Sequence, residues 1–285
     1  MIFRTEHPIP KYPFSIGYED HLFFIGSCFS DHIGRFFKDH QFPTVSNPFG
    51  TLFNPSSIAQ NLSHAIVLDT FPKEYLYFHN NQYISFLHQS KFCSDTENGL
   101  SEMIQQEYQE SHNFLLKTNF LFITLGTSTV YRFKEREIIV ANCHKIPNER
   151  FEKFRLTITE VVSDYKDLLS KIFEINSNIK VIFTVSPVRH LSDGFHENQL
   201  SKSILHLAID QLVDDTRVFY FPSYELLIDD LRDYRFYAQD LCHPGSNGIT
   251  YIEEYLKKSF FKPETELQLK VVEKELKRKN HRTIK

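Results

Sequence analysis

A hydroxyl and a thiol stand side by side at one bend of the chain. The stretch HLFFIGSCFSDHIGRFF, residues 21–37, begins as an apolar run, stops at Gly26 and continues as a helix-like pattern. Ser27 and Cys28 occupy the turn, where either side chain could serve as a nucleophile. Adjacent residues of an extended chain point to opposite sides, so only one of them faces a given cleft. The pattern alone does not decide whether Ser27 or Cys28 is that residue.

A candidate general base lies near the other end of the chain. The segment AQDLCHPGSNG, residues 238–248, carries Asp240 and His243 three positions apart, just before a helix that could begin at Pro244. Such a loop can fold so that the carboxylate meets one imidazole nitrogen, leaving the other nitrogen as a base. The spacing alone is weak support, because a surface histidine beside a helix cap would show it too.

Five short apolar runs predict the strands that must position these side chains. In chain order they are Leu22–Ile25, Phe42–Val45, Leu121–Leu125, Val181–Val185 and Val218–Phe221. Continuous apolar runs suit a parallel sheet that is covered on both faces. Helical patterns accompany them at Ser30–Lys38, Ser101–Lys117, Thr157–Ile175, Gln199–Leu212 and Asn247–Phe261. The alternation predicts an α/β fold, a three-layer α/β/α sandwich.

This fold predicts that the two candidate groups meet. Ligands of a parallel α/β sheet bind beyond the carboxyl ends of its strands. Ser27 and Cys28 follow the first run, and the Asp240–His243 loop comes after the fifth run and before the last helix. Both therefore belong to the same side of the sheet, where a nucleophile and a base can together perform acyl transfer.

Two segments depart from this alternation and predict inserted hairpins. Tyr75–Phe92 is typical of a hairpin around Asn80-Asn81, and Ser128–His144 of a second one with a charged tip. Residues 1–262 are expected to form a single domain, and residues 263–285 a charged helix or tail. The final nine residues, KRKNHRTIK, contain no acidic side chain, and we expect them to be solvated.

Composition restricts the classes of partner and compartment. The chain has 285 residues and a formal net charge of −4, which gives no reason to expect nucleic acid or an anionic membrane as partner. Its first residues, MIFRTEHPIPKYPF, lack the apolar core of a signal peptide, so a cytoplasmic protein is expected. Free thiols are then expected rather than disulfides at Cys28, Cys93, Cys143 and Cys242.

Several blocks resemble the GSCFA family, a branch of the SGNH (GDSL-like) hydrolase superfamily. The first block is GSCFSDHIG at residues 26–34. The others, in chain order, are NPFGTLFNP (47–55), FITLGTSTVYRF (122–133), VANCHKIP (140–147), SPVRH (186–190) and DLCHPGSNG (240–248). The resemblance spans residues 23–261 and implies a flavodoxin-like fold with a five-stranded parallel sheet.

The resemblance also implies catalytic roles. The superfamily pattern Gly-Asp-Ser, laid on residues 26–28, places Cys28 at the nucleophile and Ser27 where an aspartate is usual. The last block implies that His243 is the base and that Asp240 orients it. A thiol near a histidine or a helix N-terminus usually has a lowered pKa, which we expect for Cys28.

The implied oxyanion hole is less complete. Backbone N–H groups of Cys28 and Gly50 would hold the oxyanion. The superfamily's third block is Gly-x-Asn-Asp, whereas this chain has Gly-Thr-Ser-Thr at residues 126–129. Thr127 or Ser128 would have to donate in place of the missing asparagine. Losing one oxyanion donor typically costs about 10²–10³ in turnover, so this departure bears on hydrolysis.

Four further residues lie in family-like stretches and are candidates to line a substrate pocket: His88, Asn142, His144 and Arg189. For each, a structural polar role is an equal alternative. Arg189 follows the fourth run and could bind an anionic group of a substrate. A rival hypothesis is a zinc site built from Cys28, Cys143, His144, Cys242 and His243, although the usual ligand spacings are missing.

These observations lead to one hypothesis and one alternative. The protein is expected to be an SGNH-like hydrolase or acyltransferase acting on the ester of a small molecule or carbohydrate, with O-acyl sugars as one candidate. No cofactor or metal is required, and neither nucleic acid nor a membrane is expected as partner; the oligomeric state is left open. The alternative is a catalytically altered binding module for an acyl or carbohydrate ligand, and a zinc-binding protein is a lesser one.

Overall fold

The computed structural model describes residues 4–283, with side chains described as far as residue 278. Its strands are β1 (Leu22–Gly26), β2 (Thr44–Ser46), β3 (Leu76–His79), β4 (Gln82–Ser85), β5 (Cys93–Ser94), β6 (Phe120–Leu125), β7 (Thr129–Phe133), β8 (Ile138–Val140), β9 (Phe151–Arg155), β10 (Lys180–Val185) and β11 (Val218–Tyr220). Its helices are α1 (Cys28–Asp39), α2 (Pro55–Val67), α3 (Glu97–Leu115), α4 (Ile158–Ile175), α5 (Phe195–Asp210), α6 (Ser223–Glu225), α7 (Ser246–Phe260) and α8 (Pro263–Thr283).

A five-stranded parallel sheet forms the centre, in the order β2-β1-β6-β10-β11. Each of the five predicted runs supplies one of these strands, although β2 begins two residues later than its run. Counted within the sheet, the order is 2-1-3-4-5, which is the flavodoxin-like arrangement. The direction of strand addition reverses beside β1, so a ligand crevice is expected between the carboxyl ends of β1 and β6.

The inner strands β1, β6 and β10 are buried on both faces because most of their residues are apolar. Phe23 and Ile25 of β1 belong to the core shared with α2, α3, α4 and α5. Leu22 and Phe24 of the same strand face the other core, which includes residues of α1, α7 and α8. Alternate residues of a strand point to opposite faces, so β1 contributes to both cores. The predicted three-layer α/β/α sandwich is confirmed.

The helix α2 was not predicted from the apolar pattern. The segment PSSIAQNLSHAIV forms α2, with Pro55 in its first turn. Asn54 caps it, since its side-chain oxygen accepts a hydrogen bond from the N–H of Ser57 at 2.8 Å. An asparagine cap followed by proline is a helix-start signal, so the sequence held the information for this element.

The two insertions form small antiparallel sheets. In the first, β3 pairs with β4 across Asn80 and Asn81, both of which have positive φ, and β5 adds a third strand. In the second, β7 pairs with β8 as predicted, and β9, which was not predicted, pairs with the other edge of β7. Both hairpins are thus present, each with one additional strand.

The C-terminal segment begins as α8, a helix with a charged surface. The last nine residues were predicted to be a solvated basic end. Most of them lie beyond residue 278 and so outside the described side chains. Within residues 4–283, none of the helices is both long and apolar enough to cross a bilayer.

Candidate active site

The bend after β1 is shaped by a glycine and by a side chain from the next block. Gly26 has a φ of +137°, and an added Cβ would lie 2.1 Å from the carbonyl oxygen of Thr124 on β6. Its N–H donates to Oδ1 of Asn47 at 2.8 Å, and Nδ2 of Asn47 donates to the carbonyl oxygen of Ser27 at 3.4 Å. Asn47 therefore holds both sides of the bend, a role that the sequence did not indicate.

The bend separates the hydroxyl from the thiol. Ser27 is 0% exposed, and its buried Oγ has no hydrogen-bond partner among the described residues. Cys28 is the first residue of α1 and is partly exposed. The serine therefore points into the protein, and the thiol is the group that remains accessible.

The expected lowering of the Cys28 pKa is wrong. Burial raises the pKa of this thiol, and the carboxylate of Asp31 raises it further. The backbone N–H groups of Cys28 and Phe29 and the ammonium of Lys202 act in the opposite direction without outweighing burial. The resting side chain at neutral pH is therefore a protonated thiol, and its attack on a substrate requires a base.

Asp240 and His243 form the predicted pair. Oδ2 of Asp240 lies 2.6 Å from Nδ1 of His243, while Oδ1 accepts hydrogen bonds from the N–H groups of His243 and Cys242. These backbone N–H groups, with that of His243 first, lower the pKa of Asp240 to about 2. An ionised carboxylate assigns the proton to Nδ1 and leaves Nε2 as the basic nitrogen. The His243 side chain is 47% exposed, so Nε2 is open to a reactant.

The loop that carries this pair is held on both sides. Ala238 N–H donates to the carbonyl oxygen of His243 at 2.8 Å, which closes the loop on itself. From the end of β10, Arg189 donates its backbone N–H to the carbonyl of Cys242 and its guanidinium to that of Leu241, each at 3.1 Å. The position of His243 is therefore fixed relative to the sheet rather than left to a free loop.

A cavity of about 340 Å³ opens beside this loop, beyond the carboxyl ends of β6 and β10. Thr127, Arg189 and His243 line it, together with Tyr131 of β7 and Cys143 from the loop after β8. His243 also lowers the pKa of His32, although less than burial does. Ser27 donates its N–H to the carbonyl oxygen of Thr124 on β6 at 3.2 Å, and the loop of His243 is bonded to Arg189 after β10, so both adjoin the same edge of the sheet.

One predicted oxyanion donor is engaged elsewhere. The N–H of Gly50 donates to the carbonyl oxygen of Asn47 at 2.9 Å within a turn. Gly50 has a φ of +84°, and a Cβ there would lie 2.2 Å from Cβ of Gln89. Its glycine identity is therefore explained by close packing, and its N–H is not free for a substrate. By contrast, the N–H of Cys28 has no intrahelical acceptor because it opens α1.

Of the two predicted third-block donors, Thr127 lines the cavity and Ser128 does not. Ser201 Oγ accepts hydrogen bonds from the N–H of Ser128 at 2.8 Å and from its hydroxyl at 3.2 Å, so Ser128 is occupied. Ser201 therefore uses its own hydrogen toward Oγ1 of Thr127, 2.9 Å away. The hydrogen of Thr127 is left to donate into the cavity that this residue lines.

Three of the four candidate pocket residues lie outside this cavity. His88 is fully buried, and its Nδ1 is 2.7 Å from the hydroxyl of Ser85. His144 places Nε2 2.8 Å from the carbonyl oxygen of Ser85, and Asn142 accepts the backbone N–H of His144. Of these bonds, the one from His144 to Ser85 joins the two insertions, and none of the three residues lines the cavity beside His243. Arg189 alone of the four reaches the cavity.

Sequence reasoning missed Lys202, which is 1% exposed on α5. Its Nζ donates to the carbonyl oxygens of Gly126 at 2.7 Å and of Ser186 at 2.6 Å, immediately beyond β6 and β10. A signal was available, because Lys202 stands three and seven residues before the buried Leu205 and Ile209. A lysine on the apolar stripe of a helix calls for a specific partner.

All four cysteines are free thiols. No group of three or more histidine, cysteine, aspartate or glutamate side chains in residues 4–283 is arranged to hold a metal ion. The zinc alternative therefore has no ligand set in that part of the chain.

Comparison with solved structures gives distant likenesses, each at 14% sequence identity. A carbohydrate esterase family 3 protein from Talaromyces cellulolyticus matches 51% of this chain and 61% of its own, with a TM-score of 0.31. An acetyl esterase mutant solved with an acetate ion matches 56% and 66%, at 0.30. An acetyl xylan esterase from Butyrivibrio proteoclasticus matches 88% and 66%, at 0.36.

The chain thus spans less than two thirds of the length of these proteins, and scores this low carry no functional inference. No curated protein gives a significant match. A family model does match, over residues 21–255, and this span includes the bend at Cys28 and the Asp240–His243 loop. The chain belongs to the GSCFA family.

Proposed function

We propose that this protein is an acyl hydrolase or acyltransferase that cleaves an ester through Cys28. One observation carries the proposal: Asp240 holds Nδ1 of an accessible histidine at 2.6 Å, at the edge of the sheet where the accessible thiol begins α1. A nucleophile and an oriented base at one edge are the groups that acyl transfer requires.

The reaction begins with a neutral thiol. Nε2 of His243 accepts the proton from Sγ of Cys28 as the sulfur attacks the acyl carbon. Asp240 stabilises the imidazolium that forms and keeps the ring oriented. The carbonyl oxygen becomes an oxyanion, for which the N–H of Cys28 and the free hydroxyl of Thr127 are the donors.

The tetrahedral intermediate then collapses. The bond from the acyl carbon to the alcohol oxygen breaks, the departing alcohol takes the proton from His243, and a thioester remains on Cys28. His243 next removes a proton from water or from an acceptor hydroxyl, which attacks the thioester. Water completes hydrolysis and an acceptor alcohol completes acyl transfer, and the thiol recovers its proton in both cases.

The volume of the cavity limits the size of the substrate. Its volume of about 340 Å³ falls at the lower end of small-molecule pockets and suits a short acyl group with part of its alcohol. Thr129 and Tyr131 supply hydroxyl groups to the lining beside Thr127. The rest of the lining is mainly apolar, so it is the small volume of the cavity that supports the ester of a small molecule or a sugar rather than of a long-chain lipid.

The alternative function is a binding module for an acyl or carbohydrate ligand. It is favoured by the engagement of the Gly50 N–H and of Ser128, which leaves fewer oxyanion donors than the superfamily pattern implies. The two functions differ in whether a covalent intermediate forms on the thiol.

The test is to mix the protein with p-nitrophenyl acetate, quench with acid and locate the acetyl group by peptide mass spectrometry. We expect an acetyl thioester on Cys28, and turnover that Cys28→Ala abolishes. Ser27→Ala is the matched control and should retain turnover, because the Ser27 hydroxyl is buried. Turnover that survives in Cys28→Ala would exclude this mechanism. Ligand binding without any acylation, measured by calorimetry with acetylated and deacetylated xylo-oligosaccharides, would establish the binding module.

A further inference from the structure

A second cavity, of about 290 Å³, adjoins the cavity beside His243, and Arg189 lines both of them. The mechanism above makes no use of this second cavity. Its volume is close to the lower end of small-molecule pockets. Because the cavity beside His243 holds a short acyl group and only part of the alcohol, the rest of a larger alcohol has to extend beyond it, and the second cavity is an adjoining space.

Three aromatic rings of the second cavity surround the guanidinium of Arg189. Its Cζ lies 5.1 Å from the ring centre of Phe195, 5.6 Å from that of Tyr234 and 5.5 Å from that of Tyr237. A cation at this range is attracted to the face of an aromatic ring, so the contacts hold the group together. Phe195 is nevertheless 63% exposed and Tyr234 58%. Apolar surface left in solvent at the wall of a cavity is typical of a binding site.

Two amide side chains of α5 line the same cavity and have donors to spare. Asn198 uses its Oδ1 to accept the backbone N–H of His190 at 2.9 Å. Gln199 uses its Oε1 to accept the hydroxyl of Tyr224 at 2.6 Å. Among the residues that the structure describes, neither amide NH₂ group has a hydrogen-bond partner. Each amide is therefore fixed through its oxygen and can donate from its nitrogen to a ligand.

Hydrogen bonds hold the wall of the second cavity in a fixed position next to the base. Gly245 donates its N–H to the carbonyl oxygen of Phe236 at 2.8 Å, in the turn that carries two of the aromatic rings. The guanidinium of Arg189 donates to the carbonyl oxygen of Leu241 at 3.1 Å. Leu241 and Gly245 stand two residues before and two residues after His243. The aromatic rings and the base therefore belong to one hydrogen-bonded unit.

We propose that the second cavity binds a pyranose ring in the alcohol part of the ester, an inference that rests on the proposed function for its catalytic meaning. A sugar ring has a face of C–H groups, which packs on an aromatic ring, and a rim of hydroxyl groups, which accept hydrogen bonds. Phe195 and Tyr234 supply the aromatic surface, and Asn198 and Gln199 supply the donors. An alkyl alcohol would leave those donors unpaired, and an inorganic anion would make no use of the rings.

The test is titration calorimetry with three unacylated probes at millimolar concentration: xylotriose, cellotriose and maltotriose. At least one of them should bind the wild-type protein. Phe195→Ala and Tyr234→Ala should each weaken that binding about tenfold, because the loss of an aromatic contact in a binding site costs on that order. Phe78→Ala, which removes a ring of β3 that is 55% exposed, is the matched control and should bind like the wild type. Equal melting temperatures would show that the variants are folded.

Failure of all three probes to bind, or equal affinity in the wild type and both cavity variants, would overturn the proposal. Binding of an unacylated sugar needs no chemistry, so it can be found in a protein that never acylates Cys28. Conversely, acylation of Cys28 without sugar binding would retain the proposed reaction and exclude the sugar site.

The place of the sugar in the reaction is tested with the acetylated form of the probe that binds. Tyr234→Ala should lower kcat/KM more for this ester than for p-nitrophenyl acetate, whose alcohol has no sugar ring. Equal losses on the two esters would show that the bound sugar is not the alcohol part of the substrate.

Discussion

Two histidines of this chain stand in similar family-like stretches and end in opposite environments. His243 is half-exposed, and its Nδ1 faces the carboxylate of Asp240. His88 is fully buried among aromatic rings, and its Nδ1 faces the hydroxyl of Ser85. Burial lowers the pKa of His88 to about 3, so it stays neutral in the folded protein.

The difference shows what separates a reactive histidine from a structural one. Both rings have a hydrogen-bonded Nδ1, but only His243 has an anionic partner that stabilises the imidazolium and an Nε2 that a reactant can approach. Nε2 of His88 is enclosed and has no hydrogen-bond partner among the described residues. His243 should therefore determine activity, and His88 stability.

The strongest test of this contrast is His243→Ala. Removing the base from a unit of this kind costs at least about 10³-fold in turnover, so kcat/KM for p-nitrophenyl acetate should fall by that factor or more. The melting temperature should change little, because the side chain is half-exposed. His88→Phe is the matched comparison and should keep its activity. Equal losses in both variants would contradict the assignment.

A smaller effect is expected from Asp240→Asn. An amide cannot stabilise the imidazolium, and its NH₂ group can favour the wrong tautomer of His243, so kcat should fall by about 10²- to 10⁴-fold. KM should change less than kcat, because Asp240 contacts the histidine rather than the substrate. Steady-state kinetics against Asp233→Asn, another loop aspartate, would check this. A fall in KM with an unchanged kcat would show that Asp240 has no role in the proposed mechanism.

The smallest effect concerns stability under acid. The unfolded chain protonates His88 near pH 6.5, whereas the folded protein does so only near pH 3. In this interval the unfolded state therefore binds more protons than the folded state. His88 accordingly lowers the free energy of unfolding by about 1.4 kcal/mol for each unit by which the pH falls below 6.5.

His88→Phe should remove that contribution, so its free energy of unfolding should decline less steeply than that of the wild type between pH 6.5 and 4. Urea titrations at several pH values measure the difference. Parallel pH dependence in the two proteins would show that His88 is not buried as a neutral ring.

Much of the fold was predictable because the residues that form the buried strands stand together in the sequence as short apolar runs. Five continuous apolar runs became the five parallel strands, and the capping box of Thr157 with Glu160 marks the start of α4 as the pattern predicted. The strand β9 was missed because FEKFR, with exposed Glu152 and Lys153, is an edge strand that its pairing with β7 stabilises. Such tertiary pairing is not visible in a local pattern.

The candidate site was predictable where one loop contains both partners. The spacing of Asp240 and His243 suggested the hydrogen bond that they form, and the resemblance to the family block added to that weak signal. The orientation of Ser27 and Cys28 was not predictable, since it depends on Asn47 and Thr124, which are distant in the chain. The loss of Gly50 as a donor likewise depends on a turn with Asn47 and on packing against Gln89.

The burial of Cys28 has a consequence for the lifetime of the protein under oxidative stress. Peroxide reacts with the thiolate rather than the thiol, and burial together with Asp31 raises the pKa of this side chain. At neutral pH, Cys28 is thus expected to be a poor target for conversion to a sulfenic acid. The environment that would make a general base necessary in the proposed mechanism therefore also protects the sulfur from oxidation.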